Sequence, residues 1–250
     1  MLLYALALAP SIILLIWLLR IKRYSPYPKG IVAGMFAGGA ACAVLVGIIF
    51  WAIDYFPVMR TVGSERFFEL FLSEDPTELE SLQNELSPFG GYMTLPSILW
   101  ENFISTAAAE EIAKYLVAVF FIKRIDAKYT VFDAVVCSSI TAVGFQLIED
   151  LMYLDGTLVT AVVRGITPFH FTYGAIMGFF IGRAIATGNK QYRLKALLIP
   201  ILIHGIYDFS IYLVDADDWF LLLFFVIYGL LAALTIYIIT RIHRMGRRCS

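Results

Sequence analysis

Seven stretches of this chain are each apolar for about the 20 residues that a helix needs to cross a hydrocarbon core. They run approximately over 2–19, 30–53, 96–122, 129–154, 165–187, 196–213 and 219–240. In lipid every backbone N–H and C=O must be paired within the segment, which leaves helices as the form such stretches take. The expected fold class is therefore all-α: a polytopic membrane protein of about seven transmembrane helices. Composition agrees, with 60% hydrophobic and 16% charged residues and a mean hydropathy of +0.79, where soluble domains run near half apolar and a quarter charged. A net charge of -1 gives no reason to expect nucleic acid. Cys42, Cys137 and Cys249 are too scattered for a disulfide framework or a thiolate metal site.

Charge sets the orientation. Basic residues cluster after the first span (Arg20, Lys22, Arg23, Lys29), the third (Lys123, Arg124, Lys128), the fifth (Lys190, Arg193, Lys195) and the seventh (Arg241, Arg244, Arg247, Arg248). These are fourteen of the 19 basic residues, all on one face. The opposite loops are acidic, Asp54 to Glu85 and Asp215, Asp217 and Asp218. The N-terminus is expected outside and the C-terminus in the cytoplasm. The first run lacks a basic leader and a small-residue cleavage site, so an uncleaved anchor is expected there. No repeat or second domain interrupts 1–250, and the core helices fall within 96–213. The one long loop, 54–95, contains Ser64 to Ser73 (SERFFELFLS), aromatic on one face and acidic on the other, as an interfacial helix would be. Asp75-Pro76-Thr77-Glu78 then reads as an N-cap, a first-turn proline and a capping-box glutamate.

Function is to be sought where the sequence bears a cost. An ionisable residue at the bilayer centre costs about 2.5–3.5 kcal/mol on insertion scales. Seven lie inside the spans: Glu110, Glu111, Lys114, Glu149, His170, His204 and Asp208. Lys114 is one turn from both glutamates and can serve both as a counter-charge. Phe145 shares a face with Glu149, and His204 with Asp208. Gly174, Gly178 and Gly182 form a ridge for close helix contact, and His170 stands one turn before it. Gly30, Gly34 and Gly38 make a second ridge. Asp150, about 100° around the helix from Glu149, and Glu101 read as boundary residues. Asp133 and Arg183 read as snorkelling groups, and His243 as part of a solvated tail.

This set suits hydrolysis in two ways. Glu149, His170 and His204 can bind a divalent metal such as zinc, with Glu110 or Glu111 as general base. Alternatively a glutamate activates water without metal, while His170 and the His204–Asp208 pair stabilise the oxyanion. The residues leave both open. A proton-coupled transporter, in which buried Glu and His relay protons, is the competing class. It predicts broken helices or paired repeats, which the sequence lacks. The zinc-type His-Glu-x-x-His, a Gly-x-Ser-x-Gly and an aspartyl Gly-x-Gly-Asp are also absent.

Glu110-Glu111-x-x-Lys114, Phe145-x-x-x-Glu149, His170 and His204-x-x-x-Asp208, in that order on successive helices, resemble the four motifs of the PrsW family of intramembrane proteases. That family is related to the type II CAAX prenyl proteases and bacteriocin-processing enzymes. The resemblance covers roughly 110–208. It departs at Gly174, where the family usually carries a hydroxyl four residues after the histidine; the supporting hydrogen bond is then either missing or supplied from elsewhere, by Thr172 or Tyr173. It implies a bacterial or archaeal multi-pass cell-membrane peptidase that cleaves a membrane-anchored protein such as an anti-sigma-factor-like regulator. It also implies metallopeptidase chemistry, although the CAAX relatives are argued to use glutamate alone. Counting at about 1.5 Å per residue puts Glu149, His170 and Asp208 about 7 Å from the outer ends of their helices. The pocket is therefore expected in the outer half of the bilayer beneath 54–95, with SERFFELFLS as its gate.

Overall fold

In a computed structural model residues 2–21, 28–73, 75–86, 94–125, 130–154, 157–166 and 168–248 are described. Lys22, Arg23, Lys128 and Cys249 lie outside them. Among the described residues every regular element is a helix, as the spacing of apolar stretches requires. The long ones are α1 (Leu2–Ile21), α2 (Lys29–Val62), α7 (Val131–Met152), α9 (Phe169–Thr187), α10 (Gln191–Ala216) and α11 (Leu221–Arg248). The shorter ones are α3 (Ser64–Phe71), α4 (Thr77–Leu86), α5 (Leu95–Leu99), α6 (Ala109–Ile122) and α8 (Leu158–Ile166). Five are by themselves long and apolar enough to cross a membrane: α1, α2, α7, α10 and α11. The protein is thus a multi-pass membrane protein.

Helix α7 is the hub. Of its most apolar window 83% is buried, against 22% or less for the other four candidate spans. The reason is side-chain size: Ala134, Ser138, Ser139, Ala142 and Gly144 let neighbours approach its backbone. The ridge Gly174, Gly178 and Gly182 of α9 lies on this surface, against Ser138, Ala134 and Val131. On α2 the close approach falls elsewhere than the sequence suggests. Gly34 and Gly38 face Phe121 and Val117 of α6, and Gly30 faces open space. Gly39 instead abuts the Thr141 carbonyl, and Gly144 the Phe36 carbonyl, so α2 and α7 meet backbone to backbone.

Three spans differ from expectation. Helix α2 continues past 53 to Val62, so 54–62 is helix rather than loop. The third span is composite: α5, capped by Thr94 and Ser97, runs into a π-helical stretch Trp100–Ala108 and then α6. The fifth begins at Phe169 rather than 165, because the preceding residues form α8 and pack on α1, where Gly165 meets the Leu6 carbonyl.

The amphipathic segment does form helix α3, but its buried face has a protein partner. Phe67 and Leu70 pack with Val58 of α2 and Leu79 of α4. Glu78 pairs with Arg66 at 2.8 Å rather than closing a capping box. Asp75 accepts hydrogen bonds from the amide and hydroxyl of Thr77, which hold its carboxyl below the usual carboxylate range. Asp133 is not a snorkelling residue: it forms a capping box with Thr130, whose amide donates to it at 2.7 Å.

Candidate active site

Glu110, Glu111 and Lys114 lie in the first turns of α6, and all three are buried. Helix α7 supplies Phe145 and Glu149 near its C-terminal end, α9 supplies His170 in its first turn, and α10 supplies His204 and Asp208. The seven ionisable residues selected by cost are therefore brought to one place from four helices.

Lys114 organises the inner layer. Its Nζ lies 2.6 Å from Glu111 Oε1, 3.6 Å from Glu110 Oε2 and 2.7 Å from His170 Nδ1. It also sits over the Phe145 ring at 4.2 Å, which explains why an aromatic residue belongs one turn before Glu149. An ammonium only donates, so His170 Nδ1 is an acceptor. Its Nε2 is then the protonated ring nitrogen of the neutral form, and it contacts Glu149. His204 is held from both sides, by Glu111 Oε1 at 3.1 Å and Asp208 Oδ2 at 3.2 Å. Glu111 thus joins Lys114 to His204 and is committed to orientation.

Glu110 is free of that task. Ligand atoms of Glu110, His170 and His204 lie within 4.8 Å of one another. The third member of this close set is Glu110, where the sequence pointed to Glu149. The set passes a test of fit for a divalent cation. Two imidazoles and a carboxylate are zinc-type donors, and Glu110 Oε2 is buried without a hydrogen bond among the described residues. Glu149 and Asp208 place further carboxylate oxygens against the two histidines. A cation there would displace the proton of His170 Nε2.

A cavity of about 440 Å³ opens onto Glu149, His170, His204 and Asp208. Its far wall is made by Thr160, Val163 and Arg164 of α8, and Leu221 and Phe224 of α11 close another side. The expected gate, α3, packs with α2 and α4 instead, and the segment over the site is α8.

Two residues of the site are not marked by the sequence. Arg164 reaches Asp150 at 3.3 Å and Glu149 at 3.6 Å. Asp150, read as a boundary residue, is buried and lines the cavity, where the Arg164 side chain of α8 reaches it. The available signal was Leu158–Ile166 itself, nine residues with a single charge. Gly174 has no room for a hydroxyl-bearing side chain, since it abuts Ala142 and the Ser138 carbonyl. Thr172 does not substitute: its hydroxyl pairs with Thr235 of α11 at 2.6 Å.

A family model described as PrsW family intramembrane metalloprotease matches residues 79–241, about two thirds of the chain. The chain is 36% identical over 113 residues to Protease PrsW of Geobacillus kaustophilus, covering 43% of this chain and 50% of that protein. It is 35% identical over 118 residues to Protease PrsW of Oceanobacillus iheyensis, covering 45% and 55%. With Protease PrsW of Clostridioides difficile it shares 28% identity over 185 residues, covering 68% and 76%. The chain spans about half the length of the first two relatives. No solved structure matches it.

Proposed function

The chain belongs to the PrsW family of intramembrane metalloproteases, and from that premise we propose that it hydrolyses a peptide bond of a membrane-anchored protein, near the extracytoplasmic edge of the anchor. The observation that carries this reading is the Glu110–His170–His204 cluster lying behind a cavity on which Glu149 opens. Glu110, His170 and His204 would hold a divalent metal, which supplies Lewis-acid polarisation of the carbonyl and of water. Glu149, which faces the cavity and touches His170, takes a proton from the attacking water and returns it to the leaving amine. Asp208 and Glu111 hold His204, and Lys114 neutralises Glu111 and fixes His170. The apolar wall of Val163, Leu221 and Phe224 accepts side chains of an unwound anchor segment. A membrane-bound regulator of the anti-sigma-factor kind is the substrate class this reading carries, in a cell membrane with the N-terminus outside.

The reading assigns different duties to two glutamates, and that is its test. Purified protein should cut single-span proteins in vesicles and lose activity on chelation. Glu110→Gln, His170→Ala and His204→Ala should each lose bound metal and activity together. Glu149→Gln should keep the metal and lose activity by about 10²–10⁴-fold. Full activity in both histidine variants would sink the hydrolase reading. Full activity of a chelated, metal-free protein would leave hydrolysis standing and transfer the base role to Glu110.

A further inference from the structure

Beside the polarisation a metal would supply, a tetrahedral intermediate gains from a donor aimed at the oxygen on which negative charge develops, and the charged side chains of the site face one another instead. The ring nitrogens of His204 face Glu111 and Asp208, and those of His170 face Lys114 and Glu149. Lys114 is bound to Glu111 behind the cavity wall, and Arg164 is held by Asp150 and Glu149.

Tyr173 stands apart. It is one turn after His170 on α9, with 1% of its surface exposed. Its ring stacks on His204 at 4.9 Å between centroids and 23° between planes, and meets His170 edge-on at 5.6 Å. It lines the cavity together with both histidines. Its hydroxyl is buried and has no hydrogen-bond partner among the described residues. Leaving a buried hydroxyl unpaired costs about 1–3 kcal/mol, and a phenylalanine would fill the same space without that cost. A second tyrosine on the cavity, Tyr207, turns its ring instead to Phe169 and Phe224.

We propose that Tyr173 is a catalytic residue whose hydroxyl donates a hydrogen bond to the scissile carbonyl oxygen. The proposal rests on the hydrolase reading above. As the water oxygen bonds to the carbonyl carbon, the C=O π pair moves onto the oxygen, and the Tyr173 O–H holds that charge while keeping its own proton. Glu149 receives one proton of the water. When the pair returns, the C–N bond breaks and the amine leaves with the proton held by Glu149. Water is thereby divided between acid and amine, and Tyr173 ends as it began. The ring, wedged on the two histidines, places the donor without rearrangement, which is where such a group gains most.

The experiment uses the full chain in vesicles and a library of single-span proteins randomised at the outer end of the helix. Tyr173→Phe should lower kcat by about 10²–10³-fold, with KM within about threefold and thermal unfolding unchanged. Tyr207→Phe should keep kcat within about threefold. Fluorotyrosine installed at 173, nearly the same size but more acidic, should move the alkaline limb of the kcat profile to lower pH, which a packing role would not do. Wild-type cleavage with Tyr173→Phe within threefold of it overturns the proposal and leaves the hydrolase reading intact. Should Tyr173→Phe fail to fold, an unchanged pH profile in the fluorotyrosine protein overturns it equally. No cleavage of any library member by the wild type overturns the hydrolase reading, and this proposal with it.

Discussion

Lys114 shows how much one side chain is asked to do inside a membrane. Its ammonium meets Glu111, Glu110 and His170 at once, with 1% of the side chain exposed. Removing one partner of a buried charge set leaves the others uncompensated, at about 3–5 kcal/mol. Lys114→Met should therefore lower the thermal midpoint strongly as well as abolish turnover. Glu149→Gln removes a residue at the edge of the cluster and should leave the midpoint nearly unchanged. Thermal unfolding of the two variants in the same detergent checks this; equal midpoints would show that Lys114 is not the structural centre of the site. The four motifs were legible in sequence because each is a costly residue in an apolar run. The division of labour proposed for the glutamates was not, because it depends on which carboxylate oxygens point at the cavity and which at Lys114.

At the scale of elements, the site is assembled by close backbone contact. Helix α7 carries Glu149 and is gripped by α2 at Gly39 and Gly144 and by α9 along its glycine ridge. A methyl group at Gly39 would overlap the Thr141 carbonyl, and one at Gly144 the Phe36 carbonyl. Overpacking of this kind costs about 1–3 kcal/mol. Gly39→Ala and Gly144→Ala should each lower the unfolding midpoint, whereas Gly30→Ala, facing open space, should leave it unchanged or raise it slightly. A Gly30→Ala protein as damaged as the other two would contradict the packing described. The glycine ridge of α9 was readable from its spacing of four. The contact of α2 was not, since Gly38 and Gly39 are neighbours in sequence and only the rotation of the helix decides which of them meets α7.

For the whole molecule, the consequential element is α8. Joined to α7 through Arg164, it forms a wall of the cavity, the place that the sequence reading gave to the 54–95 loop. Phe145 and Thr172, beside the site on α7 and α9, are wholly buried. Thr160 and Ile211 line the cavity. Cysteines at Thr160 and Ile211, in a background without native cysteines, should react with an impermeant thiol reagent added from outside. Reaction from the cytoplasmic side alone would reverse the orientation and the proposed cleavage position.

By itself the sequence determined the properties that a single segment has in lipid. Apolar length dictates helix, since no other form satisfies the backbone there, and the cost of each buried charge marks the ionisable residues that the fold brings together. The tertiary structure decided everything that depends on two segments meeting. The helical extension of α2 packs with α3 and α4 around Phe67, and α8 is seated on α1. Asp150 and Arg164 become partners only because α8, seated on α1, brings the Arg164 side chain to the end of α7. Glu110 rather than Glu149 completes the close set with the two histidines, because helical periodicity fixes which face a residue occupies but not which helix that face will meet.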